Sequence, residues 1–476
     1  MSRGWELKSG AGAPLARRRL LGAGAAGGAV VAGAALGACI PGGGSGPGGQ
    51  GASRPGVKPG TTLQWMYWSS PGPWLEANQK EAAAFEAQHA KDGLKIEQLN
   101  VASGPTFLDK LSSLVAGGTP PDVAEIMPWD VPQFQTRKTL LNLTPYLKRD
   151  KYDLADFFQA GFDQYRWTAD GRPAGTTGGD LWGVPRDFPT RALGYNVDAL
   201  QAAGAKLPAG GWEDGAWSPQ AFLDTALRVT RRGEGPNGVS LWGWNGHEGL
   251  QEWMPWVFNV GGEFVSPDGR ESRWDNPKTV EALQFLADLQ HRHKVAPTPQ
   301  QRQTEGAMDQ AFFNGRLAMM HFGPAQLGRY RQAVQGFTWD VAVWPRSAGS
   351  GTAVGSGSGW LALAGGRDPE GSWLLLQHLL SPETQQTDSE AGSGVPVRRS
   401  TMEQVFVKQP APPRNVKVFM DNARVARIVP QVPRWTEMME VVNRELPALW
   451  RGEKTAREVC AEIERQVEPI LKAGGA

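Results

Sequence analysis

Along residues 61–127 the spacing of apolar positions alternates between that of strands and that of helices. "TTLQWMYWSS" (61–70) is dense in β-branched and aromatic residues and predicts a strand. "WLEANQKEAAAFEAQHA" (74–90) is built from strong helix formers, and the following "KDG" supplies a glycine stop. "LKIEQLNV" (94–101) turns Leu94 and Ile96 to one face of a second strand. "PTFLDKLSSLVAGG" (105–118) sets Phe107, Leu108, Leu111, Leu114 and Val115 on one helical stripe before another glycine stop, and "PDVAEIM" (121–127) is a short apolar strand. A strand–helix–strand–helix–strand order predicts a parallel sheet with helices on its faces, an α/β fold. Ligands of such sheets sit beyond the carboxyl ends of the strands. Those ends carry Trp68, Ser69 and Ser70, then Pro128, Trp129 and Asp130.

Farther along, helical periods run through "PQAFLDTALRVT" and "NPKTVEALQFLADLQHRH", separated by turn signals at "TADGRPAGTTGGD", "RRGEGPNG" and "SPDGR". Two helices close the chain, "RWTEMMEVVNRELPALW" and "TAREVCAEIERQVEPIL", with "RGEKT" between them. In the second, Val459, Cys460, Ile463, Val467 and Ile470 form an apolar stripe, which makes Cys460 a packed core thiol.

The amino-terminal pattern is of another kind. "ARRRLLGAG" (16–24) is a positive region with paired arginines, and Leu20 to Ala38 is uncharged and rich in Ala, Gly, Val and Leu. This run resembles a twin-arginine export signal, and "LGAC" (36–39) resembles a bacterial lipobox, so residues 1–38 are expected to be removed and Cys39 lipidated. Residues 39–60 are rich in Gly and Pro, with too few apolar side chains to pack, and read as a flexible tether.

Composition narrows the field. A chain of 476 residues exceeds one compact core and implies at least two lobes. Its 49 basic and 48 acidic residues nearly cancel, so no broad field draws nucleic acid or anionic membrane to the surface. Two cysteines exclude a disulfide framework. The 20 tryptophans against 6 tyrosines offer flat apolar faces that fill cores or stack on ligands, and composition does not choose between the two.

Sequence signs of catalysis are few. His291 and His293 lie two apart, not at the spacing of a helical zinc pair, and there is no phosphate loop, nucleophile elbow or zinc cysteine pair. No metal or cofactor is expected. "GSGSGW" (355–360) lacks dinucleotide-loop spacing and precedes the apolar strand "WLALA", so it reads as a hinge or ligand-approach loop. Asp187, Glu213, Asp214, Glu248, Glu252 and Glu263 lie in an aromatic region, where paired carboxylates for glycoside hydrolysis stay open as a reading.

Seven stretches in order carry a resemblance: "AGGTPPDVAEI", "LWGVPRDFPTRALGYNVDAL", "DQAFFNGRLAMMHFGPAQL", "WDVAVWP", "SGSGWLALAGG", "SPETQQTDSEAGSGVPVR" and "ALWRGEKTAREVCAEIERQVEPIL". From about residue 61 onward the chain resembles the family 1 extracellular solute-binding proteins of bacterial ABC transporters, the maltose-binding-like group. The resemblance implies a two-lobed periplasmic-binding-protein fold of type II joined by hinge crossings, with lobe one at 61–176 and 356–400 and lobe two at 177–355 and 401–476. It implies ligand contacts from Trp68, Ser69, Trp129, Asp130, Asp187, Trp360 and Trp435. Ala325, in "HFGPAQL", stands where many relatives carry a stacking tryptophan, and Trp253 and Trp256 are candidates to replace it. Arg398 and Arg399 read as a solvated surface pair. The expected protein is a monomeric, non-enzymatic carbohydrate receptor, lipid-anchored at the outer face of the cell membrane and delivering its ligand to an ABC permease. A non-sugar ligand such as a glycerol phosphodiester or a peptide, or an exported polysaccharide hydrolase, are the alternatives.

Overall fold

A computed structural model describes residues 56–168, 171–174, 178–215, 217–246, 249–347 and 351–473. Cys39, with the export signal and most of the tether, lies outside them, as does Glu248.

The first sheet has five strands, in the spatial order Lys95–Asn100, Thr62–Tyr67, Val123–Ile126, Gly359–Ala362, Val184–Pro185. The first three run parallel, with Trp65 opposite both Gln98 and Val123. Gly359–Ala362 enters antiparallel, pairing Trp360 with Glu125 on one side and Val184 on the other. The connecting helices are Pro73–Gln88 and Pro105–Ala116, each opened by a proline whose missing N–H costs nothing there. Phe85, Phe107 and Leu111 from these helices are buried in the same apolar core as Leu63, Trp65 and Val123. The alternation read from the apolar spacing is therefore present strand for strand.

A second sheet follows the order Trp339–Ala342, Ala192–Asn196, Leu317–Phe322, Val239–Trp244, Arg231–Arg232. Only Leu317–Phe322 and Val239–Trp244 are parallel; the other pairs are antiparallel. Residues from the helices Pro219–Val229, Leu250–Asn259, Pro277–His291, Trp435–Trp450 and Ala456–Ala473 share a core dense in tryptophan. Cys460 is buried there, and burial pushes its thiol up to about 12, so it is an inert apolar filler at neutral pH.

The chain crosses between the sheets at 186–191 and again at 353–358. Val184–Pro185 belongs to the first sheet, so the passage comes later than the expected break at 176/177. The hairpin Arg166–Trp167/Asp180–Leu181 and the following Trp182 stay with the first sheet's core, and Val184–Pro185 then pairs with Gly359 and Trp360 from far along the chain. Beside the crossings Ala353–Gly355 pairs in parallel with Ala426–Ile428, and Thr190 bridges Gly355. The helices Pro369–Leu379 and Pro382–Ala391 contribute to the first lobe, and Lys417–Arg424 packs against the second sheet.

Candidate functional site

The strand ends of the first sheet converge on buried charge. Glu125, fully buried near the end of Val123–Ile126, accepts from Ser358 Oγ at 2.6 Å, from Arg186 Nη1 at 3.4 Å and from the backbone N–H of Trp68 at 3.4 Å. Arg186 Nη2 reaches Asp388 Oδ1 at 3.5 Å, and Asp388 also accepts from Ser393 Oγ at 2.8 Å. Asp187 Oδ1 accepts from the backbone N–H of Ser358 at 3.0 Å. One guanidinium thus faces three carboxylates. Its plane is flanked by the rings of Trp74 and Trp360, at 4.9 and 5.7 Å.

Desolvation outweighs this partnering. It lifts Glu125 to about 7 and Asp187 to about 6, in both cases against the opposing pull of Arg186. Asp130 is lifted to about 7 by burial alone. Its carboxylate has no hydrogen-bond or ion-pair partner among the described residues. With Trp68 and Phe107 it lines a cavity of about 250 Å³. Trp68 is half-buried there, its ring edge-on to Phe107 at 4.8 Å. Ser69 takes Asn100 Oδ1 on its backbone N–H, while its own Oγ is buried without a partner.

Glycine makes the second crossing possible. A Cβ on Gly357 would stand 2.3 Å from both the carbonyl and the Oδ1 of Asp187, and one on Gly359 would stand 2.2 Å from the Tyr165 ring and hydroxyl. "GSGSGW" is therefore a close-approach loop that lays Ser358 against two carboxylates.

Trp129, in the turn Pro128–Asp130 of the first lobe, is half-buried and packs on the second lobe's core. It stacks on Trp435, at the start of the helix Trp435–Trp450, with ring centroids 6.3 Å apart and planes 25° off parallel. Nearby loops of both lobes enclose a larger cavity of about 730 Å³, with Trp182, Arg172 and Lys138 on one side and Asp268, Arg270 and Pro433 on the other. Trp182 was absent from the expected set, although the turn signals flanking it marked the loop.

Three expected contacts need correction. Trp253 and Trp256 are 1% exposed. Trp253 is packed on Phe264 and Trp274, and Trp256 on Phe222, Trp244, Phe285 and Trp344. With neighbours on every side, neither offers a ring to a ligand. Trp360 is 2% exposed, edge-on to Trp65 at 5.3 Å, and supports Arg186 from behind. Glu125 was missed; its signal was a carboxylate inside the apolar strand "VAEI".

The other charged candidates are engaged elsewhere. Glu263 meets Arg427 and Arg273, Asp214 accepts from the Gly211 N–H, and Glu252 accepts from the Gly249 N–H. Arg398 bonds Asp156 and the Leu380 carbonyl, and Arg399 the Ala155 carbonyl. Among the described residues no group of three or more His, Cys, Asp or Glu is placed to hold a metal ion.

Residues 80–412 match the sequence profile of the bacterial extracellular solute-binding proteins. The chain belongs to that family. Family members bind solutes rather than transform them, and they work outside the cytoplasm. A putative binding protein of Brucella abortus is 20% identical over 407 residues, 85% of this chain and 92% of its own. Among solved structures, MalE of Xanthomonas citri, a sugar-binding protein, superposes with a TM-score of 0.72 at 21% identity, covering 87% of this chain and 98% of its own. A Listeria monocytogenes ABC substrate-binding protein in complex with cycloalternan gives 0.71 at 21% identity, covering 86% and 98%. The GacH receptor of Streptomyces glaucescens, solved unliganded and with acarbose, gives 0.67 at 22% identity, covering 87% and 99%. These likenesses fix the two-lobed, type II binding-protein fold.

Proposed function

We propose that this solute-binding protein captures a carbohydrate between its lobes and presents it to an ABC permease. The observation that carries the reading is the Trp129–Trp435 pair beside the carboxylate of Asp130, which has no partner among the described residues. Aromatic faces take the C–H surface of a pyranose, and a dry carboxylate accepts from hydroxyls in a way water no longer competes with. Asp187 and Trp68 extend the same edge. The sugars named for the structural neighbours point the same way. Closure of the lobes then shifts the population toward the form a permease recognises.

Titration of intrinsic tryptophan fluorescence with mono- and oligosaccharides tests the proposal. A saturable shift without release of reducing sugar is the expected result; turnover abolished by replacing one carboxylate would overturn it. The location proposed is the outer face of the cell membrane, through lipid on Cys39, with residues 39–60 as tether. Among the described residues no helix is long and apolar enough to cross a membrane. Cys39→Ser is expected to release the protein into the medium, and continued membrane retention would sink the anchor.

A further inference from the structure

Ala325 borders a cavity of about 360 Å³ that draws on both lobes: Leu327 and Arg331 from the second, Ser389 and Val395 from the first, and Phe406 from the connecting segment. That volume lies within the range of small-molecule sites. Its polar equipment is unusual. Arg331 Nε donates to the Pro412 carbonyl at 2.8 Å and Nη1 to Gln409 Oε1 at 2.7 Å, both uncharged acceptors. These two bonds fix the plane of the guanidinium. Nη2 is buried and has no partner, and among the described residues no carboxylate lies within 4 Å of the group. Burial pulls the guanidinium below its ordinary pKa with no anion to offset it. Opposite, Ser389 is 4% exposed and its Oγ also lacks a partner. The one carboxylate on the wall, Glu390, is exposed and accepts from Gln386 Nε2 at 2.7 Å.

A half-buried guanidinium held by two uncharged acceptors, with its Nη2 buried and unsatisfied, is matched by an anionic acceptor. Water would satisfy the N–H but leave the charge unpaired. We propose that Arg331 and Ser389 form an oxyanion subsite, which takes a carboxylate or phosphate on the captured ligand. Because one residue comes from each lobe, occupancy ties the lobes together. The inference rests on the cleft being the ligand site, and it adds a charge requirement that aromatic stacking alone does not impose.

The test uses the full chain, with glucose 1-phosphate, glucuronic acid, inorganic phosphate, glucose and maltotriose as probes in calorimetry and thermal-shift titrations. The charged sugars are expected to bind at least tenfold tighter than glucose. Arg331→Gln removes that preference while leaving neutral-sugar binding unchanged, and Arg331→Lys restores part of it. Ser389→Ala gives a smaller loss and guards against a folding defect in the arginine variants. Equal binding of charged and neutral sugars, or equal loss of both in Arg331→Gln, overturns the subsite and leaves the carbohydrate reading standing. Arg331-dependent response to phosphate and the charged sugars, with none to neutral sugars, supports the subsite and removes the neutral-carbohydrate reading. No response to any probe overturns the subsite.

Discussion

The rings of Phe222, Trp244, Phe285 and Trp344 close on Trp256 at 4.8 to 5.9 Å. At the edge of the first sheet a single guanidinium stands among three carboxylates, and in the turn after Val123–Ile126 Asp130 has no partner among the described residues. Both regions are buried and both contain tryptophan. The first satisfies itself: apolar faces meet apolar faces. The second keeps carboxylates that the protein has dehydrated without fully compensating. Tryptophan content does not separate the two regions, whereas incompletely paired charge does.

The two regions should fail differently. Trp256→Ala is expected to cost about 3–5 kcal/mol of stability, the range for truncating a core aromatic, with ligand affinity unchanged where the protein is still folded. Guanidinium unfolding measures the first and calorimetry the second; an affinity loss would place Trp256 at the site after all. Arg186→Met should cost a similar ~3–5 kcal/mol at pH 8, because it strands Glu125, Asp187 and Asp388. That penalty shrinks at pH 5, where Glu125 and Asp187 take up protons. In the unmodified protein the sign is the same. Glu125 at about 7 and Asp187 at about 6 lie above ordinary carboxylates, so the folded state holds more protons than the unfolded one between pH 4 and 7. Their stabilising contribution is present below pH 4 and is lost as pH rises through 6 to 7. Each tenfold gain in proton affinity on folding is worth about 1.4 kcal/mol of that contribution. A flat pH–stability curve over that window contradicts the assignment.

Much of the fold was legible because strand and helix periods are local properties: each element from Thr62 to Ile126 was readable from its own residues. The crossing point was not, since Val184 and Pro185 are assigned by pairing with Gly359 and Trp360, more than 170 positions away in the chain. The helix Leu250–Asn259 shows a readable signal that was misjudged. Trp253, Met254, Pro255, Trp256, Val257 and Phe258 are apolar all round, which marks a buried helix rather than one that shows a face to ligand. Trp129 and Asp130 were legible as strand-end residues, but Asp130's lack of a partner is a property of the assembled lobes.

A milder contrast separates Trp129 from Trp256. Trp129→Ala should lower sugar affinity about tenfold, within the range for aromatic contacts, and cost far less stability than Trp256→Ala. A stability loss equal to that of Trp256→Ala, with affinity intact, would make the Trp129–Trp435 stack a structural clasp.

The smallest and most diagnostic effect concerns Asp130. Burial alone holds its carboxyl at about 7, so the free protein carries it partly protonated at neutral pH. A sugar hydroxyl that donates to the carboxylate favours the charged form and lowers that pKa on binding. Affinity should therefore rise between pH 5.5 and 8, by no more than severalfold, and binding near pH 7 should release a fraction of a proton. Calorimetry in two buffers of different ionisation enthalpy detects that release, and Asp130→Asn should abolish both it and the pH slope. Proton uptake instead of release would mean that Asp130 binds as the neutral acid and donates to the ligand. The acceptor role argued from its empty surroundings would then be reversed, although its place at the strand ends would stand.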